Sequence, residues 1–159
     1  MKRPLLGLAP AAAVLAIAGC GGSSSSRAPA SGAKSALTPT GITIAHGKLG
    51  PYLADAKGRA LYLFEADKGA SSTCYSACAS IWPPLTSSGA TTPAAGVARM
   101  LLGKTKRTDG PSEVTFHGHP LYYYVGDATA GSTAGQGLNQ FGAKWYLVAP
   151  NGSKLDTSG

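Results

Sequence analysis

GRALYLFEAD, residues 58 to 67, returns sixty positions downstream as GHPLYYYVGD, residues 118 to 127. Aligned without a gap, the segments share Gly58/Gly118, Leu61/Leu121, Tyr62/Tyr122, the aromatic pair Phe64/Tyr124 and Asp67/Asp127. The register continues through Ala70/Ala130, Ser72/Ser132 and Thr73/Thr133, which makes this an internal repeat and not a coincidence of strand composition. Tyr146, Leu147, Gly152 and Leu155 add a fragment of a third copy, at the spacing of Tyr52, Leu53, Gly58 and Leu61. A chain built this way must fold as related units that complete one another, because an isolated two-stranded hairpin is marginal in water.

The units are mostly β. The segments at 42–46, 51–55 and 60–66 are short runs rich in β-branched or aromatic residues, broken by glycines. Runs at 113–117, 120–126 and 144–149 repeat the pattern, and Pro150-Asn151-Gly152 supplies a final turn. Tyr62 and Phe64 fall on one strand face and Leu61 and Leu63 on the other, as do Tyr122/Tyr124 and Leu121/Tyr123. Strands apolar on both faces belong inside a sandwich- or barrel-like domain of short antiparallel hairpins, so the repeated aromatics are expected in its core. Residues 74 to 85 begin as a short helical turn that Pro83 ends. Residues 87 to 96 read as loop, and 99 to 110 contain a short strand or hairpin that the pattern does not place.

The N-terminus reads as an export signal. Lys2 and Arg3 precede an apolar stretch from Leu5 to Ala18, shorter than the roughly 20 residues a membrane span requires. Ile17-Ala18-Gly19-Cys20 is similar to a bacterial lipobox, in which the cysteine is diacylated and becomes the first residue after cleavage. The expected organisation is a signal peptide over 1–19, lipidated Cys20 and a Ser/Ala/Pro/Gly tether over 20–41, then a duplicated domain over 42–155, divided into 42–97 and 98–155. The tether cannot bury enough apolar surface to order itself. Its reach is about 25 Å, enough to hold the domain clear of lipid headgroups without releasing it.

Of 159 residues 43% are hydrophobic and only 13% charged, which suits one modest exported domain. The net charge of +7 includes Lys2 and Arg3, and the other basic residues are scattered. No stretch has the clustering of a nucleic-acid footprint, so nucleic acid is not an expected partner. Lipidation of Cys20 leaves Cys74 and Cys78 as a pair in an oxidising compartment, where a C-x3-C spacing predicts a disulfide around one tight turn. A redox dithiol or soft-metal site is the alternative.

YLADAKGRALYLFEADKGASSTCYSACASIWPPL and RTDGPSEVTFHGHPLYYYVGDATAGSTAGQGLNQFGAKWYLVAPNG together resemble the bacterial secreted-repeat lipoproteins, a family marked by a Y-x-[FWY]-x-x-D motif. The motif is Tyr62-x-Phe64-x-x-Asp67 in the first copy and Tyr122-x-Tyr124-x-x-Asp127 in the second. The resemblance covers about residues 50 to 152 and implies an envelope address; the family's function is recorded as unknown.

Chemistry must be sought in the side chains. Asp67 and Asp127 each begin a D-x-x-A-x-S-T turn, where a carboxylate accepts backbone N–H bonds two or three residues on. The sharper alternative, two carboxylates converging on a cation, lacks the neighbouring acidic residues of a calcium loop. His117 and His119 would offer two imidazoles to a metal if they shared a strand face, with His46 as a third. Lys57 and Arg59 stand at the equivalent positions of the first copy, so this reads as a turn favouring polar side chains. GSTAGQG, residues 131 to 137, reads as a surface loop. There is no G-x-S-x-G, phosphate loop or H-E-x-x-H. The expected function is therefore a non-enzymatic, lipid-anchored envelope module that binds a protein, polymer or small ligand. The alternative is an envelope redox or electron-transfer module holding haem or copper near the Tyr, Trp, His and Cys residues.

Overall fold

The computed structural model describes residues 40–156. The expected signal peptide, Cys20 and nearly all of the expected tether lie outside the described residues. The strands are β1 (Thr40–Gly47), β2 (Gly50–Asp55), β3 (Tyr62–Phe64), β4 (Thr91–Pro93), β5 (Leu102–Lys106), β6 (Ser112–Phe116), β7 (His119–Pro120), β8 (Asn139–Gln140) and β9 (Ala143–Leu147). One helix, α1 (Ala77–Ile81), and a 3-10 turn at Arg99–Leu101 complete the elements. The strands form three small sheets of order β2-β1-β4, β3-β9-β8 and β5-β6-β7, and among the described residues none closes into a barrel.

Turn chemistry fixes the hairpins. β6 and β7 are joined by His117 (φ 50°) and Gly118 (φ 79°), the two consecutive positive φ angles of a type I′ turn, which sets Phe116 opposite His119. The hairpin from Leu53 to Leu61 closes through Asp55, whose carboxylate accepts the Lys57 and Arg59 backbone N–H groups at 2.8 and 3.0 Å. The third-copy fragment makes the same hairpin: Leu155 N–H donates to Leu147 O at 2.8 Å, as Leu61 N–H does to Leu53 O at 2.9 Å.

Two rings of backbone hydrogen bonds join the copies. In the first, Leu53 donates to Val148, Val148 to Leu61 and Leu61 to Leu53, at 2.8, 3.2 and 2.9 Å. In the second, Val114 donates to Leu85, Leu85 to Leu121 and Leu121 to Val114, at 2.8, 2.7 and 3.0 Å. Each ring takes a hairpin from one copy and the tail of the other. Exchanging the copies maps one ring onto the other, which is the isologous pattern of a two-fold relation within a single chain. All six residues are buried in one aliphatic core, with Ile42, Leu63, Val97 and Phe116 beside them. The repeated tyrosines and both tryptophans form a second, aromatic core.

The two halves differ where proline intervenes. Residues 120–126, expected as a strand, pair regularly only at β7; Tyr122 makes isolated bridges to Tyr62 and Pro84. Its counterpart Tyr62 belongs to a three-residue ladder with β9, facing Leu147. Pro83 and Pro84 occupy the positions that Tyr146 and Leu147 hold in the other half, and without N–H groups they cannot extend a ladder. Two further elements fall in segments that the pattern left open or read as loop: β5 pairs with β6, and β4 adds to β1 in parallel, a departure from purely antiparallel hairpins.

Candidate functional site

The repeated motif residues meet across the two-fold, each with the partner of the other copy. Tyr62 hydroxyl donates to Asp127 Oδ2 and Tyr122 hydroxyl donates to Asp67 Oδ2, both at 2.7 Å. The two tyrosines are completely buried. Burial raises both phenol pKa values, and the carboxylates facing them raise these further. The phenols therefore remain proton donors to their acidic partners. A buried bond of this kind, to a charged acceptor, contributes about 1.5–3 kcal/mol.

The second carboxylate oxygen of each aspartate holds a loop. Asp67 Oδ1 accepts Thr73 N–H and Thr73 hydroxyl at 2.7 and 2.8 Å. Asp127 Oδ1 accepts Ala134 N–H and Ser132 hydroxyl at 2.8 and 3.0 Å. These are loop clamps closing six and seven residues on, where the sequence suggested a turn cap at two or three. The clamp on Asp127 pins the glycine-rich segment: Gly135 lies so close to Trp82 and Tyr62 that a Cβ there would fall 2.8 and 2.9 Å from their rings. That segment is docked on the core where a surface loop was expected.

The aromatic members of the motif end a stack of four rings. Phe64 stacks on Trp145 (4.0 Å between centroids), Trp145 on Trp82 (4.0 Å) and Trp82 on Tyr124 (4.4 Å). Tyr62 meets Trp82 edge-on at 5.3 Å, and Tyr122 meets Trp145 edge-on at 5.1 Å. Gln140 orients both indoles, its side-chain oxygen accepting Trp82 Nε1–H at 2.8 Å and its backbone oxygen accepting Trp145 Nε1–H at 3.1 Å.

One buried network has no counterpart in the first copy. Arg107 and Glu113 form an ion pair at 2.8 Å with both side chains 0% exposed. Arg107 also donates to Ser72 Oγ at 2.8 Å, to Cys74 O at 2.7 Å and to Asp109 at 2.9 and 3.0 Å. Ser72 Oγ lies 2.7 Å from Tyr122 Oη. With one proton per hydroxyl, the direction runs from Arg107 to Ser72, from Ser72 to Tyr122 and from Tyr122 to Asp67. Glu113 Oε1 is buried with no hydrogen-bond partner. Burial pushes the Glu113 carboxyl up to about 7, against the pull of Arg107 and with a further push from Asp67 and Asp109. The repeat alignment could not reveal this network, because the residue that matches Glu113, directly before the ring residue Leu53, is Tyr52.

Cys74 and Cys78 are joined as a disulfide at the start of α1. His117 is exposed in its turn while His119 lies in β7, so the two do not share a strand face; exposed His46 belongs to β1. Among the described residues no group of three or more His, Cys, Asp or Glu is gathered as metal ligands would be.

The motif spacing, the crossed pairing and the disulfide together define a duplicated, disulfide-clamped β module. Residues 43–86 and 103–149 match the family described as a secreted repeat of unknown function, and the chain belongs to that family. The matched segments are the two halves related by the two-fold, and the description marks the chain as exported. No curated protein and no solved structure matches it.

Proposed function

We propose that the protein is a lipid-anchored, non-enzymatic interaction module of the bacterial envelope, held to the membrane through Cys20 and presenting its β domain to a protein, polymer or small ligand. The observation that carries this reading is the crossed Tyr62–Asp127 and Tyr122–Asp67 pairing. It commits both phenols and most of the acceptor capacity of both carboxylates to joining the two halves, so the motif acts chiefly as a scaffold and leaves contact to its exposed edge and the surface around it. That surface includes Val125, 54% exposed beside half-buried Tyr124, and Arg59, whose guanidinium lies 3.8 Å over the Tyr123 ring.

The lipobox-like Ile17-Ala18-Gly19-Cys20 and the tether behind it support the anchor. Among the described residues no helix is long and apolar enough to cross a membrane. For the haem or copper alternative, among the described residues Cys74 and Cys78 bond each other, and His46, His117 and His119 stand in β1, in a turn and in β7.

The test is fractionation and mass analysis of protein exported in its native compartment. Wild type should sediment with membranes carrying a diacylglyceryl N-terminus, and Cys20→Ser should be released or left unprocessed. Cross-linking in intact cells should then capture an envelope component. Wild-type protein that is wholly soluble and free of lipid would refute the anchor.

A further inference from the structure

Each motif lines a surface cleft, and the two clefts are two-fold equivalents. The first, about 240 Å³, sets Arg59 of one copy against Tyr124, Val125 and Asp127 of the other. The second, about 210 Å³, sets His119 against the matching Phe64, Glu65 and Asp67. Both are composite, so neither would exist in a single repeat.

They have diverged in a way that leaves one open. In the second cleft Glu65 receives Lys154 at 2.7 Å, and Asp67 is only 7% exposed. In the first cleft Val125 replaces the glutamate, which removes the matching ion pair and leaves an apolar wall formed with Ala60 and Pro83.

The polar groups of the first cleft are fixed in advance. Arg59 is held by Asp55 at 2.9 and 2.8 Å and by stacking on Tyr123, so its donors are set without a ligand. Asp127 already accepts Tyr62 hydroxyl, Ser132 hydroxyl and Ala134 N–H, which leaves about one of its roughly four lone-pair sites. Arg59, Asp55 and Asp127 carry a net formal charge of minus one, which disfavours an anion. A fitting ligand must accept from a guanidinium, donate to a carboxylate and lay an apolar face on Val125 and Tyr124. The hydroxyl is the neutral group that does both polar tasks, and a ring bearing several of them has the apolar face as well. The volume is below the roughly 300 Å³ at which pockets for drug-sized ligands begin, so it suits one ring at a time.

We infer that the cleft between Arg59 and Val125 is a binding subsite for a neutral, hydroxyl-rich sugar ring of an envelope polysaccharide. The assignment rests on the interaction-module reading and gives its ligand a chemical class. Tyr124 stacks on Trp82, so occupancy of the cleft changes the surroundings of a tryptophan and reports itself in fluorescence.

The experiment titrates the full exported protein with maltotriose and with the trimer of N-acetylglucosamine, to about 10 mM, where even an affinity of a few kcal/mol registers. A saturable tryptophan response to at least one sugar is expected. Val125→Asp, a surface change that leaves both cores intact, should weaken it at least about tenfold, a loss of about 1.4 kcal/mol. Glu65→Ala, in the equivalent cleft, should not. Thermal unfolding of both variants checks that they fold. No response to either sugar, or a response that Val125→Asp leaves unchanged, overturns the assignment, as does a saturable response to choline alone. If membrane retention and cross-linking succeed while sugar binding fails, this subsite falls and the interaction module stands; if both fail, the module falls too.

Discussion

Tyr62 and Tyr122 exchange both backbone hydrogen bonds, Tyr62 N–H to Tyr122 O at 2.9 Å and the reverse at 3.0 Å, so equivalent residues of the two copies face each other across the two-fold. Their side chains then reach past the axis to the aspartate of the opposite copy. A chain with one copy would have the tyrosine and the aspartate but not the geometry to join them. The duplication therefore serves one shared core, and the motif is its fastening.

The crossed pairs should behave as coupled units. Asp127→Asn should lower stability by about 1.5–3 kcal/mol, because it takes the charged acceptor from the fully buried Tyr62 hydroxyl, and Tyr62→Phe by about 0.5–1.5 kcal/mol, because the half-buried Asp127 keeps its other bonds. The double variant should cost less than the sum of the singles by about 1 kcal/mol or more. Denaturant unfolding of the four proteins measures this, and strict additivity would mean that the bond contributes nothing.

Reduction of Cys74–Cys78 should have a limited effect. The loop it closes is short, and the chain-entropy argument assigns it about 2 kcal/mol. Reduced protein should still unfold cooperatively at a lower denaturant midpoint. Loss of the folded baseline on reduction would show that the bridge holds more than its own turn.

Gly135→Ala tests the docking of the glycine-rich segment. Its Cβ would meet two fully buried rings, Trp82 and Tyr62, and neither can move without disturbing the stack or the crossed pair. The expected cost is about 1–3 kcal/mol, as for an overpacked core. A neutral variant would place this loop off the aromatic core.

Much of this was legible in the sequence, and the remainder was hidden for physical reasons. Tyr62, Phe64 and Asp67 announced themselves by recurring sixty residues on, and their strand alternation placed the aromatics in the core. What a repeat alignment cannot show is that Tyr62 pairs with Asp127 and not with its own neighbour Asp67, because spacing within a copy says nothing about contacts between copies. Pro83-Pro84 carried a readable signal against a regular strand opposite Tyr122, but only once their equivalence to Tyr146-Leu147 was known. Arg107 and Glu113 were invisible for the opposite reason: neither has a like residue in the first copy, Arg107 falls in the segment 99–110 that the pattern did not place, and Glu113 opens the run 113–117 read as one more strand, so no spacing linked the two.

Glu113 predicts how stability should change with pH. Its carboxyl stands near 7 in the folded protein against an ordinary 4.5, so the folded state holds the proton more tightly than the unfolded chain. The stability this gives is fully present below about 4.5 and is lost as pH rises through about 7, by about 3 kcal/mol. Asp67, raised mainly by burial, acts in the same direction. Asp55, pulled down on balance by its bonds to Arg59 and Lys57 despite burial, and Asp109, pulled down by its bond to Arg107, act oppositely and lose their contributions on acidification. Stability should therefore fall between about pH 4.5 and pH 7 and level off above, and Glu113→Gln should flatten that slope. Denaturant midpoints across this range decide it, and an unchanged slope in the variant would assign the proton elsewhere.

The exchanged tails make the strongest claim about the fold. Residues 42–97 contain Leu53 and Leu61 but not Val148, and they contain Leu85 without Val114 and Leu121, so neither backbone ring can close within that fragment. Residues 98–155 are deficient in the complementary way. Each fragment also loses the partner of its motif tyrosine and half of the four-ring stack. Separately the fragments should lack a cooperative unfolding transition; mixed or co-expressed, they should associate and recover one, because each supplies the tail, the aspartate and the tryptophan that the other lacks. Circular dichroism during denaturation, together with size-exclusion chromatography of the mixture, reads both outcomes. A fragment of 42–97 that folds cooperatively alone would mean that the first copy is self-sufficient, and the two-fold exchange would then be a docking of finished domains.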